Sequence, residues 1–323
     1  MKKTIRMIGI DLDGTLLTKQ KELTGACRAA LEAAVRAGVE VVPVTGRPLA
    51  GVPAEVTGIP GIRYLITSNG ANTYDLAEKK VVRKKHMPHA LTRAVLNEVT
   101  GPDVIREIFI RGVGYHDERT QRMLEERFCV APPILAYINR SRRIVRDFED
   151  LLADESAHVE NISLMFPSGE ARDMVYNRLK KLTDEDGVPL VQILLPWKTD
   201  LEITHIMADK WIALKGVADR LGIPAEEIMA LGDGDNDRPM LRGAGYSVAM
   251  GNAPDFVKET ADICTTDNDH DGAAAAILEA LSWQGPDPGE SMEALSWQGP
   301  DPGESMEAKH VWSDPGGPER VPV

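Results

Sequence analysis

Ile5-Arg6-Met7-Ile8-Gly9-Ile10-Asp11-Leu12-Asp13-Gly14-Thr15 is the stretch that decides the reading of this chain. A short apolar run breaks off at two carboxylates one residue apart, followed by glycine, which is the pattern of a buried strand ending in a polar loop. Side chains alternate along an extended backbone, so Asp11 and Asp13 can approach one pocket. Paired acids repel and resist burial unless a cation neutralises them, so the arrangement predicts a metal.

Three further pieces fall at the same kind of position. Val39 to Val44 reads as a buried strand ending at Thr45-Gly46-Arg47, a small hydroxyl and a guanidinium, both good phosphate donors. Lys210 opens a helical run that reaches Leu221, and Ile228 to Leu231 runs straight into Gly232-Asp233-Gly234-Asp235-Asn236-Asp237. Leu23 to Ala37 has helical spacing, with Thr24 as N-cap and Gly38 as stop. Tyr64 to Thr67, Tyr246 to Met250 and Ala261 to Cys264 read as further strands. Strand, helix, strand with polar loops after the strands predicts a parallel α/β sheet, whose carboxyl-end loops converge on one crevice. The residue types suit phosphoryl transfer. A carboxylate can take the phosphoryl group as an aspartyl-phosphate, a second can move protons, and a lysine, hydroxyls and Mg²⁺ can neutralise the equatorial oxygens. Asp233, Asp235 and Asp237 also have the spacing that opens a calcium loop, but Arg238 and Ala244 stand where such a loop needs glycine and glutamate.

In this order, D-x-D-G-T, T-G-R, an isolated Lys before a helix and G-D-x-x-N-D resemble the haloacid dehalogenase-like hydrolases, most closely the Cof-type phosphatases. Ser68-Asn69-Gly70-Ala71, Val248-Ala249-Met250-Gly251-Asn252-Ala253 and Ala261-Asp262 match as well, and the resemblance covers roughly residues 5 to 281. It implies a Rossmann-like parallel sheet core with an inserted α+β cap domain. It implies Asp11 as nucleophile and Asp13 as general acid and base. Mg²⁺ would be held by Asp11, the backbone carbonyl of Asp13, and Asp233. Thr45, Gly46, Arg47, Asn69 and Asn236 would meet phosphate or substrate, Lys210 would steady Asp11 and the phosphate, and Asp237 would support the metal and Lys210. The chain departs from the subfamily at Trp211, where glycine is usual, at His205-Ile206-Met207, where Pro-x-Gly is common, and at Arg238-Pro239.

The catalytic core is expected in residues 1–85 and 201–282, with the cap in residues 86–200. In that middle stretch, helical runs (Leu91 to Val99, Arg119 to Phe128, Ile144 to Ala153, Ala171 to Leu182) interleave with the strand-like Ile105 to Arg111, Asn161 to Phe166 and Val191 to Leu195. Glu279 to Met292 recurs verbatim as Glu293 to Met306, rich in Pro and Gly, so residues 283–323 read as a disordered tail and truncation after Ser282 as harmless. The net charge of -13 argues against nucleic acid as a partner. Three scattered cysteines exclude a disulfide framework, and no apolar run is long enough to span a bilayer. These observations favour a cytoplasmic monomer or weak homodimer acting on a small phosphorylated substrate such as a sugar phosphate or phosphorylated cofactor. A phosphomutase using the same intermediate, or a non-catalytic phospho-ligand sensor, are the alternatives.

Overall fold

The computed structural model describes residues 4–99, 101, 103–126, 128, 131–154, 156–196 and 198–283. Cys129 and everything past Trp283, including the second copy of the repeat, lie outside them. At the centre is a five-stranded sheet in the order Ile263–Cys264, Tyr246–Ala249, Ile228–Gly232, Met7–Ile10, Glu40–Pro43, parallel throughout. Its strands are apolar on both faces. Ile8, Ile10, Val41, Leu231 and Val248 point to one side, among the buried faces of the helices Gly25–Arg36 and Gly272–Ser282. Met7, Val42, Ile228, Ala230 and Ala249 point to the other, against the helix Lys210–Leu221. Helices on both faces of a parallel sheet leave the strands no solvent side, which is why the runs are continuously hydrophobic.

The helix ends are where the capping residues put them. Thr24 accepts a hydrogen bond from the Cys27 amide at 3.0 Å. Asp209 caps the helix Lys210–Leu221 by accepting from Ile212 N at 2.9 Å, and Gly222 closes it in the left-handed conformation. Beyond Glu40–Pro43, a single parallel bridge from Val44 to Ile66 leads into a three-stranded antiparallel sheet, Tyr64–Thr67, Asn72–Asp75 and Lys80–Lys84. The sequence reading had only the first of these three strands.

The chain between these parts builds a six-stranded sheet in the order Val191–Leu194, Asp200–His205, Val159–Met165, Ile105–Ile110, Val113–Asp117, Arg142–Val145. All its pairings are antiparallel except the last. The helices His89–Glu98, Phe148–Leu152 and Gly169–Leu179 pack on one face around Ile108, Ile162, Leu164, Leu201 and Ile203. Two differences from the sequence reading stand out. Ile144 and Val145 end a strand where a helix from 144 was expected, because the helix starts only after its N-cap, Asp147. The strand Asp200–His205 runs across the expected boundary at 201, so the chain leaves this sheet only after His205. His205 contributes no proline or glycine to stop the strand, and the break follows at Ile206 to Asp209.

Trp283 corrects the reading of the tail. Its ring lies edge-on to Tyr246, with centroids 4.8 Å apart, and packs against the core cluster that holds Ile277 and Ala280. A part-buried indole on an aromatic edge is worth about 1–3 kcal/mol. A chain ended after Ser282 should therefore melt a few degrees below one ended after Trp283. Equal melting temperatures would show that the ring contributes nothing.

Candidate active site

The strand Met7–Ile10 hands Asp11 to the crevice, and the strand Ile228–Gly232 beside it hands over Asp233. Asp11, Asp233 and Asp237 each offer a carboxylate oxygen within 4.8 Å of the others. Burial pushes Asp11 well above the usual carboxylate range, although Lys210 opposes the shift. Asp233 is raised to about 7, first by burial and then by the charge of Asp237. Hard oxygen ligands that burial and repulsion hold short of a full charge fit a Mg²⁺ ion.

Lys210 is 1% exposed and bonds both Asp11 Oδ1, at 2.7 Å, and Asp237 Oδ1, at 2.6 Å. Burial works against its charge, but the two carboxylates outweigh that and hold its pKa above the ordinary lysine value. The other oxygen of Asp237 accepts from the amides of Asp233 (2.9 Å) and Gly234 (2.8 Å). With both oxygens in hydrogen bonds, Asp237 anchors Lys210 and shapes the loop, and its carboxylate converges with those of Asp11 and Asp233. Asp233 is aimed by Thr15, whose hydroxyl donates to Oδ1 at 3.0 Å, and by Asn252, whose amide donates to Oδ2 at 3.2 Å and to Gly14 O at 2.9 Å. Gly14 is required here: its φ is +83°, and a Cβ would sit 2.2 Å from Asp233 Oδ2.

Asp13 turns away from this cluster. Arg47 holds it with two bonds of 2.6 Å, from Nε and Nη2, and Lys21 Nζ lies 2.8 Å from Oδ1. Burial alone would raise the Asp13 pKa, but these two cations lower it to about 2. Arg47 was expected to face the phosphate. It is 4% exposed, bidentate to Asp13, donates from Nη1 to Gly51 O at 2.8 Å, and lies 4.5 Å from the ring centre of Tyr137. Tyr137 comes from the helix Pro132–Ser141 and has Arg142 on it as well, at 5.1 Å. Arg142 in turn holds buried Glu107, whose pKa falls to about 2 because the Arg142 charge overrides the effect of burial. Only glycine lets Tyr137 this close, since a Cβ on residue 51 would meet its hydroxyl at 2.8 Å.

Thr45 is buried and its hydroxyl accepts from Arg47 N at 3.1 Å, fixing the turn through Gly46. Asn69 accepts from Asn236 Nδ2 at 3.0 Å and donates to Glu202 of the six-stranded sheet. Ser68 and Asn69 both have positive φ, 51° and 55°, a strain of about 1–3 kcal/mol each. Carboxylates from the six-stranded sheet hold both in place, Glu160 accepting from the Ser68 hydroxyl at 3.0 Å and Glu202 from Asn69. Burial pushes Glu202 up to about 7. The structure thus gathers Asp11, Lys210, Asp233 and Asp237 into one cluster, and ties Asp13 to Arg47 and Asn69 to Asn236 beside Thr45 and Gly46. Sequence reasoning missed Lys21, Tyr137, Glu160 and Glu202, which stand in no motif. Asn252 did lie within a matching segment, Val248 to Ala253, and that was its only signal.

The model of the haloacid dehalogenase-like hydrolase family matches residues 8–277. Phosphatase YwpJ of Bacillus subtilis is 29% identical over 292 residues, covering 86% of this chain and 100% of its own. The 5-amino-6-(5-phospho-D-ribitylamino)uracil phosphatase YcsE of the same organism is 30% identical over 278 residues, 84% of this chain and 94% of its own. A solved haloacid dehalogenase-like hydrolase from B. subtilis superposes with a TM-score of 0.74 at 29% identity, covering 85% of this chain and 99% of that one. Matched over nearly the full length of such phosphatases, with the acids and the lysine of the motifs meeting in one crevice, the chain belongs to the haloacid dehalogenase-like hydrolase family, among its Cof-type phosphatases, and is a phosphoric monoester hydrolase.

Proposed function

We propose that the protein is a Mg²⁺-dependent phosphatase that hydrolyses a small phosphorylated metabolite, a sugar phosphate or phosphorylated cofactor, through an aspartyl-phosphate. The observation that carries this reading is Asp11, buried at a strand end, with Oδ1 fixed by Lys210 and Asp233 beside it. One relative named for its substrate, the ribitylaminouracil phosphatase, supports a small polyol-bearing phosphate.

Asp11, the backbone carbonyl of Asp13, and Asp233 would hold Mg²⁺, which supplies positive charge to the phosphoryl oxygens and neutralises the paired acids. Asp11 attacks phosphorus as its carboxylate, the bond to the leaving oxygen breaks, and that oxygen takes a proton from Asp13. Asp13 then removes a proton from water as the water attacks the aspartyl-phosphate, which frees Asp11 and inorganic phosphate. Lys210 and the Thr45 hydroxyl and loop amides donate to the phosphoryl group.

In the geometry described, Asp13 is locked as a carboxylate by Arg47 and Lys21, a form suited to the second step. The first step needs a protonated Asp13. An arriving phosphate dianion competes for the same two cations, and as they turn to it the Asp13 carboxyl regains proton affinity. This gives Arg47 both an ion-pair role without substrate and a phosphate role with it.

Asp11→Asn should cut turnover about 10⁴-fold or more while the fold persists. Asp13→Asn should cost about 10²–10⁴-fold, and less with a good leaving group such as p-nitrophenolate. Mass spectrometry of trapped enzyme should place phosphate on the peptide that contains Asp11; phosphate elsewhere, or full turnover by Asp11→Asn, would end this mechanism. Inorganic phosphate should be released steadily, which a mutase would not do.

The metal has its own test. Activity should vanish in EDTA and return with Mg²⁺. Independently of turnover, Mg²⁺ should raise the melting temperature of the wild type and not of Asp233→Asn. A wild type that melts identically with and without Mg²⁺ would count against the site.

A further inference from the structure

The bonds that hold Arg47 all lie along the edge of its guanidinium. Nε and Nη2 donate to Asp13 at 2.6 Å, and Nη1 donates to Gly51 O at 2.8 Å. The flat face is a separate surface, with no donor of its own to fix it. The Tyr137 ring covers that face, its centre 4.5 Å from Arg47 Cζ. Arg47, Asp13 and Gly51 belong to the parallel-sheet part of the chain, whereas Tyr137 is carried by the helix Pro132–Ser141 of the inserted unit.

The fit between the two parts is close. A Cβ on Gly51 would stand 2.8 Å from the Tyr137 hydroxyl oxygen and 2.9 Å from its Cε2. The same turn, Leu49–Gly51, is gripped a second time, where Ala50 N donates to Gly112 O at 2.8 Å. Tyr137 also has Arg142 on it, but Arg142 depends on it less. Two bonds to Glu107, of 3.0 and 3.1 Å, hold Arg142, and the Phe109 ring lies nearer to it, at 4.5 Å against 5.1 Å for Tyr137. Arg47 is 4% exposed, and a guanidinium gains most from an aromatic face when the two are out of water. Without the ring, water reaches that face and weakens the clasp on Asp13.

We propose that Tyr137 is a positioning residue for phosphoryl transfer, which acts through Arg47, and through Arg47 on Asp13. The crevice then has its cation and its proton-transfer acid in place only while the inserted unit is seated on Leu49–Gly51. The proposal rests on the phosphatase reading above. Placement of this kind matters because a shift of about 1 Å in a group at a reacting centre can cost about 10²-fold in rate.

The test follows hydrolysis of p-nitrophenyl phosphate by the full chain in Mg²⁺ buffer. Tyr137→Leu keeps most of the bulk and removes the aromatic face, and should lower kcat/KM about 10-fold. Tyr137→Phe keeps the ring that Arg47 meets and should stay within about twofold of wild type. Gly51→Ala displaces the ring and leaves tyrosine in place, so it should reproduce the loss in part, and it carries the test should Tyr137→Leu fail to fold. A double-mutant cycle separates positioning from a merely structural role. Arg47→Lys leaves a point charge with no planar face to cover, so adding Tyr137→Leu, or Gly51→Ala, to it should cost less than about twofold more. A second full loss in that background would overturn the inference. So would Tyr137→Phe as impaired as Tyr137→Leu, or Tyr137→Leu with unchanged kcat/KM. A wild type that releases no phosphate from the ester removes the phosphatase reading and the inference with it.

Discussion

One buried ammonium organises the centre of this molecule. Lys210 joins Asp11, from the first strand, to Asp237, from a loop more than two hundred residues later. Removing three charged groups from water is expensive, and only tight mutual geometry offsets the cost. The surrounding structure supplies that geometry. The helix Lys210–Leu221 is fixed at its start by Asp209, the Asp237 carboxylate is tied down by two backbone amides, and Asp11 is held on a strand buried on both faces. A lysine aimed less firmly would leave two buried carboxylates repelling one another. The demand for rigidity around a charged centre explains why the site sits on the parallel sheet and not on the inserted unit.

A second ionic chain leaves the centre in the other direction. Asp13 is clasped by Arg47, Arg47 lies on Tyr137, Tyr137 lies under Arg142, and Arg142 holds Glu107 inside the six-stranded sheet. Opposite charges and an aromatic face alternate along it, each group neutralising or covering the next. The proton-transfer group proposed at Asp13 is thereby tied to the position of the inserted unit, through residues that share no motif. Trp211 shows how such tolerance arises elsewhere. In place of the subfamily's usual glycine, it lays its ring against Gly243, whose missing side chain makes room for it.

The parallel core was legible because burial on both faces leaves a simple trace: unbroken apolar runs that stop at acids and glycines. Asp11, Lys210, Asp233 and Asp237 were legible for the same reason, since each directly ends a strand or begins a helix. The inserted unit was harder to read. Its antiparallel strands carry polar residues such as Glu107 and Asn161 on a face that is buried all the same, so alternation there does not mark solvent. Asp200–His205 was lost to a domain boundary because its Asp, Glu and His residues mask two apolar positions. Arg47 was legible as a cation at a strand end, but its pairing with Asp13 was not, because sequence gives no sign of which anion a guanidinium meets first.

The pairing of Met7–Ile10 with Ile228–Gly232 carries a consequence for how the chain is made. At about 5–20 residues per second, the first strand leaves the ribosome roughly 10–45 s before the strand it needs on that side. Until then it can pair only with Glu40–Pro43, and its other edge stays bare while the whole six-stranded sheet is synthesised. That sheet closes almost entirely through neighbours already made, so it can assemble while the central one waits. The acids of the active site thus come together only after the six-stranded sheet has been made, and an arrested or shortened chain would expose an apolar strand edge long before it had any chemistry to perform.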